Sequence, residues 1–164
     1  MTYQVTFDRD AQSFWDANAE SLLRHESEDN LMIGLTLGII SAERTWGKLS
    51  FFTLRHGSGI VGQAMHTGGD KPLILTRMSR EAIDALVGAA IENDFFPGRV
   101  SGPAETAEYC ASVFASRRGA KTSIFQRQGI YELREVIWPE PDGGRLICGT
   151  SEQRELALEW VEGF

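Results

Sequence analysis

The side chains that could carry out acid–base or nucleophilic chemistry are few and widely spaced. Histidine occurs at positions 25, 56 and 66, and cysteine at positions 110 and 148. These spacings match no metal-binding or redox motif. No Ser–His–Asp set and no pair of carboxylates can be assembled with any specificity from the sequence. The sequence therefore assigns no catalytic residue, no cofactor-binding residue and no metal ligand.

Three residues are candidates for contact with a substrate, and each has a simpler structural explanation. Asn30 precedes an apolar run, where it either caps a helix or faces a cleft. Trp46 stands before a glycine and either packs in the core or forms an aromatic wall of a pocket. His66 ends a predicted strand, where it either lines a cleft or is an ordinary polar residue. We keep Asn30, Trp46 and His66 as the substrate-binding candidates.

Composition excludes several classes of partner. The chain has 164 residues and a formal net charge of −7, which argues against nucleic acid or an anionic membrane as its main partner. No stretch of about 18 apolar residues is present, so no membrane span is expected. The amino terminus has no signal-peptide pattern. Cys110 falls on the apolar side of a predicted helix, which favours a buried structural thiol. We expect a cytoplasmic protein.

Helices and strands are expected to alternate in a mixed pattern. Helical periodicity covers 10–25, 31–40, 80–93 and 103–118, and strand patterns cover 49–55, 60–66, 71–77, 99–102 and 121–136. Residues 27–30 offer cap residues and early acids for the second helix, which is apolar on every side and therefore expected to be buried. The order α-α-β-β-β-α-β-α-β predicts an α/β or α+β domain, with helices covering a largely antiparallel sheet.

A proline- and glycine-rich segment at 139–144 is the one linker-like stretch of the sequence. A short strand over 145–148 is predicted after it. Thr150 and Gln153 then have the spacing of a capping box, which starts a helix with Leu156, Trp160 and Phe164 on one face. Such an exposed apolar stripe requires a partner surface.

At this point the sequence resembles the GNAT acyltransferases. The order of elements is that of the GNAT fold, with residues 1–7 able to supply its early strand. The stretch from Phe14-Trp15 through Glu28-x-Asn30-Leu31-x-Ile33-Gly34-Leu35 looks like the opening of two-domain bacterial GNAT proteins. The segment 145–160 is similar to the first strand and helix of their second, catalytic domain.

The resemblance implies a domain organisation and a fold. Residues 1–138 would be a GNAT-like amino-terminal domain with a mixed, mostly antiparallel sheet flanked by helices. Residues 139–144 would be the linker, and 145–164 the beginning of a catalytic domain that this chain does not contain. The full-length protein would transfer an acetyl group from acetyl-CoA to an amine.

The cofactor motif of the family is missing from the matching position. GNAT enzymes hold the pyrophosphate of acetyl-CoA with Arg/Gln-x-x-Gly-x-Gly/Ala, where backbone amides and a helix dipole meet the phosphates. The equivalent junction here reads Thr76-Arg77-Met78-Ser79-Arg80-Glu81-Ala82-Ile83. It contains no glycine, and Glu81 adds a negative charge. We therefore expect acetyl-CoA to bind the full-length protein but not this chain alone.

Three hypotheses for the function follow from these patterns. In the leading one, this chain is inactive alone and forms part of an acceptor cleft or an interface. Its partners would be its own missing carboxy-terminal domain or a homo-oligomer partner, and a small-molecule or peptide amine. The alternative is a non-catalytic binding or scaffolding domain with a degenerate acyltransferase fold. A third, weaker hypothesis is a single-domain acyltransferase with an unusual cofactor site.

Overall fold

A computed structural model describes residues 2–42, 47–138, 140, 143–144 and 147–163. The chain divides into two compact units, Met1–Glu132 and Leu133–Phe164. The first unit holds the sheet, the four long helices and both pockets discussed below. Trp46 and residues 145–146 lie outside the described residues.

The first unit is an α+β domain built on a five-stranded sheet in the order β1-β2-β3-β4-β5. The strands are β1 (Tyr3–Asp8), β2 (Ser50–His56), β3 (Gly59–His66), β4 (Leu73–Leu75) and β5 (Val100–Ser101). The first four are antiparallel neighbours, and β4 and β5 are parallel. The predicted class, a mostly antiparallel sheet flanked by helices, is confirmed at this level.

Four long helices accompany the sheet. They are α1 (Ala11–Leu23), α2 (Glu26–Ile40), α3 (Arg80–Glu92) and α4 (Ala104–Arg118). Asp10 caps α1, because its side chain accepts a hydrogen bond from the Ser13 amide. Ser79 caps α3 in the same way, and Gly119 ends α4 in the left-handed conformation. The sequence favours both of the last two features, because serine is a common residue before a helix and glycine a common residue after one.

The two faces of the sheet bury two separate cores. Alternation along β2 sends Phe52 and Leu54 to the face covered by α3 and α4, and Phe51 to the face covered by α1 and α2. On this second face Asn18 of α1 is fully buried, and its Nδ2 donates to Thr53 Oγ1 over 2.8 Å. The α1–α2 pair is thereby held against the strands that carry the site described below.

Helix α2 differs from its prediction in two respects. It begins at Glu26, directly after His25, so the predicted start at the cap residues 27–30 is wrong. It is also not buried on every side, because Leu31 and Leu37 are 51 % and 42 % exposed. A run of apolar residues shows that a helix is apolar but not which side of it is covered, so the sequence overestimated its burial.

The strand predicted over 121–136 is absent. Residues 120–138 belong to no helix or strand, and their side chains are exposed. Within the first unit, Arg127 pairs with Glu108 over 3.0 Å and the Arg99 guanidinium lies 5.4 Å from the Phe125 ring centroid. Strand-forming residues need a neighbouring strand and a buried face, and this segment has neither among the described residues.

The described residues of the second unit form one short helical stretch. The Thr150 hydroxyl accepts from the Glu152 amide, while Gln153 Oε1 accepts from the Thr150 amide, which confirms the predicted capping box. A 3-10 turn (Ser151–Gln153) leads into α5 (Arg154–Glu162), on which Trp160 is 71 % exposed. Ile147 and Cys148, which belong to the predicted strand 145–148, have no regular structure. Among the described helices of the whole chain, none is both long and apolar enough for a membrane crossing.

Candidate functional site

The candidate site is a cavity of about 210 Å³ that we call the corner pocket. Its walls come from the α1–α2 corner, the start of β3 and the residues that follow β4. The lining residues are Ser21, His25, Glu28, Asp29, Ile60, Val61, Gly62, Gln63, Thr76 and Arg77. Thr76 and Arg77 directly follow a strand that has a parallel neighbour, which is the end of a strand at which α/β sheets usually bind ligands.

The α1–α2 corner is tight, and this places three titratable side chains at the pocket. Only Arg24 and His25 separate the two helices. The His25 amide donates to Leu22 O over 3.0 Å, and the Asp29 amide donates to His25 O over 2.9 Å. His25 therefore lies at the turn, and Glu28 and Asp29 occupy the first turns of α2 beside it.

The floor of the corner pocket is a hydrogen-bonded pair, Gln63 and Thr76, each 3 % exposed. The Thr76 hydroxyl accepts from the Gln63 backbone amide over 2.9 Å and donates to Gln63 Oε1 over 3.0 Å. The Thr76 amide also donates to Gln63 O over 3.0 Å. Gln63 Nε2 is buried and has no hydrogen-bond partner among the described residues.

Of the two carboxylates in the pocket, Glu28 has an ion-pair partner among the described residues and Asp29 has none. Arg77 pairs with Glu28 over 3.3 Å at the exposed side of the pocket. No described cation lies within ion-pair distance of the Asp29 carboxylate. Burial raises the pKa of Asp29 to about 6, with Glu28 adding to the rise while His25 and Arg77 oppose it. A half-buried carboxyl that titrates near neutral pH can accept a proton or bind a cation, and such groups are common at functional sites.

A second cavity, of about 260 Å³, lies beside the loop after β3, and we call it the loop pocket. It is lined by Phe7, Arg9, Lys48, Ser50, His66, Gly68, Gly69, Asn93, Asp94, Phe95 and Phe96. Gly68 has a φ of +94°, and a Cβ there would lie 2.7 Å from the Lys48 backbone nitrogen. The close passage of these two backbone segments therefore requires glycine.

His66 contacts both the loop after β3 and a neighbouring aromatic ring. Its Nδ1 accepts from the Gly68 amide over 3.2 Å, and its ring meets the Phe95 ring edge-on at 5.1 Å between centroids. Burial lowers the pKa of His66, and a hydrogen bond with the Lys71 backbone partly offsets this. These contacts account for the burial of His66 at the end of β3 without a ligand.

The structure does not bring the three predicted contact residues together. Asn30 is exposed in the second turn of α2, donates from Nδ2 to Ser27 O and lines neither pocket, so the cap predicted for it is wrong. His66 lines the loop pocket. Trp46 lies outside the described residues. Cys110 is buried as predicted, and burial raises the pKa of its thiol to about 12, so the thiol stays protonated.

Sequence reasoning missed the residues that line the corner pocket. The sequence indicates Glu28 and Asp29 only as favourable charges at a helix start. One signal for Gln63 was present, since it is a polar residue in the middle of the otherwise apolar run Ile60-Val61-Gly62-Gln63-Ala64-Met65. Within the described residues, no three His, Cys, Asp or Glu side chains form a group that could hold a metal ion.

The junction between β4 and α3 is the segment that the sequence analysis compares with the pyrophosphate motif of GNAT enzymes. The Ser79 hydroxyl accepts from the Ala82 amide over 3.3 Å, so a side chain already occupies a donor of the first helical turn. Hydrogen bonds from its own backbone and from Ser79 lower the pKa of Glu81, which keeps this residue negative at the helix start. Gly102, at the end of the neighbouring strand β5, packs directly against Leu75, since a Cβ on Gly102 would lie 2.7 Å from Leu75 O.

Comparisons of this chain with protein-family models, with curated proteins and with solved structures give no match in any of the three.

Proposed function

We propose that this chain is the front, non-catalytic part of a GNAT-type acetyltransferase, and that the corner pocket forms part of its acceptor cleft. The complete protein would transfer an acetyl group from acetyl-CoA to an amine. The observation that carries the proposal is the order β1-α1-α2-β2-β3-β4-α3-β5-α4, in which residues 3–8 supply the early strand of the resemblance.

The β4–α3 junction supports a front domain that does not hold the cofactor. A pyrophosphate site at a helix start requires free backbone amides and small residues that let a phosphate approach them. Here Ser79 occupies the Ala82 amide and Glu81 carries a negative charge in the first turn of α3. Both features oppose a phosphate at this position.

The corner pocket supports a role in holding the acceptor. Its Asp29 carboxylate has a pKa near neutral and lies at the carboxyl end of β4, close to the junction where this fold type would place its chemistry. An ammonium group is attracted by such a carboxylate, and the neighbouring Glu28 adds to the negative potential.

A binding or scaffolding domain without catalysis is the second candidate, and the same junction favours it. A domain whose helix start is closed to phosphate has no cofactor site of the GNAT kind. The two candidates share the fold and the pocket, and they differ in whether a catalytic half belongs to the same protein.

The coding sequence separates these candidates. Translation beyond Phe164 into a segment with the pattern Arg/Gln-x-x-Gly-x-Gly/Ala is the expected result for the acetyltransferase. A stop codon directly after Phe164 would contradict it and leave the binding domain. Calorimetry of this chain with acetyl-CoA should show no heat of binding. Clear binding would contradict both candidates and favour a single-domain enzyme with an unusual cofactor site.

A further inference from the structure

We propose that the loop pocket binds a small aromatic carboxylate, with its carboxylate group at Arg9, Lys48 and the Ser50 hydroxyl and its ring against the phenylalanine side chains of the pocket. This site goes beyond the proposed function. The corner pocket is lined by the first residues of β3, whereas the loop pocket is lined by His66, the last residue of that strand.

The positive charges around the loop pocket have no ion-pair partners. Arg9 and Lys48 line the pocket, and the Arg9 guanidinium is positioned 5.6 Å from the Phe7 ring centroid. A third cation, Arg118, lies 4.2 Å from the ring centroid of Phe96, which also lines the pocket. The ion pairs among the described residues all involve other cations. In a chain with a net charge of −7, this pocket is therefore a local site of attraction for anions.

A buried hydroxyl in the pocket wall also lacks a partner. Ser50 is 3 % exposed, lines the loop pocket and makes no side-chain hydrogen bond with any described residue. Within the described part of the chain, the partnerless side-chain atoms that are fully enclosed are Asn18 Oδ1 and Gln63 Nε2. The Ser50 hydroxyl is not one of them, so it is open to the pocket and can donate to a ligand oxygen.

The loop after β3 adds a backbone donor. The Gly68 amide donates to His66 Nδ1, whereas the Gly69 amide has no acceptor among the described residues. No atom lies within 4 Å of the position that a Cβ on Gly69 would take, so a ligand atom has room beside this residue. A carboxylate oxygen can accept from such an amide as well as from the guanidinium of Arg9.

The remaining walls fit an aromatic ring. Phe7, Phe95 and Phe96 line the pocket, and aromatic rings pack favourably against one another. The volume of about 260 Å³ is just below the range of about 300–1,000 Å³ that is usual for sites of small molecules. A ligand with one ring and one charged group is therefore of suitable size.

Asp94 determines which kind of anion is favoured. Its carboxylate lines the same pocket and repels anions, so the lining groups balance to two cations against one carboxylate. This balance suits a ligand with a single negative charge and disfavours a doubly charged phosphate. The planar carboxylate also matches the planar guanidinium of Arg9.

Nuclear magnetic resonance of the full 15N-labelled chain at pH 7 tests the proposal with benzoate as the probe. We expect saturable shifts of the Ser50 and Gly69 amides, with a Kd of about 1–20 mM for so small a molecule. Benzamide has the same shape without the charge, and acetate has the charge without the ring. Both, and inorganic phosphate, should bind at least about tenfold more weakly. Added sodium chloride should weaken benzoate binding, because it screens exposed charges.

Variants that remove donors from the pocket should weaken binding. The double variant Arg9→Gln with Lys48→Gln should lower benzoate affinity by about tenfold or more, and Ser50→Ala by about threefold or more. The matched controls Arg24→Gln and Ser112→Ala alter exposed residues outside the pocket and should leave the affinity unchanged.

The variant Asp94→Asn should have the opposite effect. Loss of the carboxylate should tighten benzoate by about threefold and phosphate by a larger factor. Asparagine tolerates the φ of +54° at this position, so the fold should be kept. Damage to the pocket would weaken binding, so a gain in affinity separates the charge effect from a structural one.

Four results would overturn the proposal. They are the absence of any saturable shift, equal affinities for benzamide and benzoate, an unchanged affinity in the double variant, and weaker benzoate binding in Asp94→Asn. None of them bears on acetyl-CoA or on the coding sequence beyond Phe164. A failure of this proposal is therefore distinguishable from a failure of the proposed function.

Discussion

The hydroxyl of Thr76 serves two groups of Gln63 at once, since it accepts from the backbone amide at 2.9 Å and donates to the side-chain Oε1 at 3.0 Å. Gln63 lies on β3 and Thr76 directly follows β4, each one position beyond the last paired residues, Ala64 and Leu75. This contact extends the short β3–β4 pairing and at the same time holds the Gln63 side chain at the floor of the corner pocket.

Removal of the Thr76 hydroxyl should therefore destabilise the fold. Thr76→Val keeps the shape of the side chain but leaves the Gln63 amide and Oε1 buried without this partner. We expect the free energy of unfolding to fall by about 2 kcal/mol, the usual cost of unsatisfied buried polar groups. Urea unfolding followed by circular dichroism measures it. The same substitution at the exposed Thr122 should change stability by less than about 0.5 kcal/mol, and a similar small loss at Thr76 would contradict the proposed role.

Asp29 should lower the stability of the fold at neutral pH. Its pKa is about 6 in the folded chain against 3.8 as the ordinary value, so folding disfavours the ionised form. Its contribution is fully present when the group is protonated in both states, below about pH 3.8, and is lost as the pH rises through 6. A shift of two units would correspond to about 3 kcal/mol, and solvent screening of a half-buried group reduces this to about 1 kcal/mol.

The variant Asp29→Asn isolates this contribution. At pH 7.5 it should be more stable than the parent chain by about 1 kcal/mol, and near pH 4 the two should be equally stable. Urea unfolding at both pH values measures the difference. Asp70→Asn, which alters a side chain that is 85 % exposed, should show no such trend. A constant difference across the pH range would show that the effect comes from packing and not from the charge of Asp29.

Local features of the fold were predictable because their causes lie within a few residues. Ser79 begins α3, Gly119 ends α4, and Thr150 with Gln153 forms the capping box, and in each case neighbouring residues supply the hydrogen bonds or the backbone freedom. The start of α2 was missed for the same kind of reason. His25 precedes the helix without a side-chain hydrogen bond, so the sequence contained no cap signal at that point.

The corner pocket was not predictable, because every property that defines it depends on distant residues. Gln63 and Thr76 meet only through the register of β3 against β4, which a single sequence does not reveal. The raised pKa of Asp29 depends on how deeply α2 is buried, and the absent strand over 121–136 depends on whether another strand accepts it. Periodicity gives the kind of element, but long-range pairing decides which side chains come together.

The close contact between the ends of β4 and β5 should be sensitive to a single methyl group. Gly102 has a φ of +155°, and a Cβ there would lie 2.7 Å from Leu75 O and 3.0 Å from Leu75 Cβ. Gly102→Ala should therefore cost about 2 kcal/mol or more, because backbone must move to accommodate it. The loss should appear in urea unfolding as a lower midpoint.

Gly88 offers a matched control, because the same substitution there should raise the free energy of unfolding instead of lowering it. It lies inside α3, has no atom within 4 Å of the added methyl group and has no unusual φ. Gly88→Ala should raise the free energy of unfolding by about 0.5–1 kcal/mol, since alanine restricts the unfolded chain and favours helix. Equal effects of the two substitutions would show that the contact at Leu75 does not determine the outcome.

Amide hydrogen exchange should be much faster in the exposed segment 121–131 than in the sheet. These residues belong to no helix or strand and their side chains are exposed, whereas the amides of β2 pair with strands on both sides. We expect opening free energies near ~0 kcal/mol for 121–131, while those in the centre of β2 approach the free energy of global unfolding. Exchange monitored by mass spectrometry, with peptides covering each segment, measures both. Protection over 121–131 equal to that of β2 would mean that this segment pairs as a strand in solution, as predicted for 121–136, and would contradict its exposed conformation.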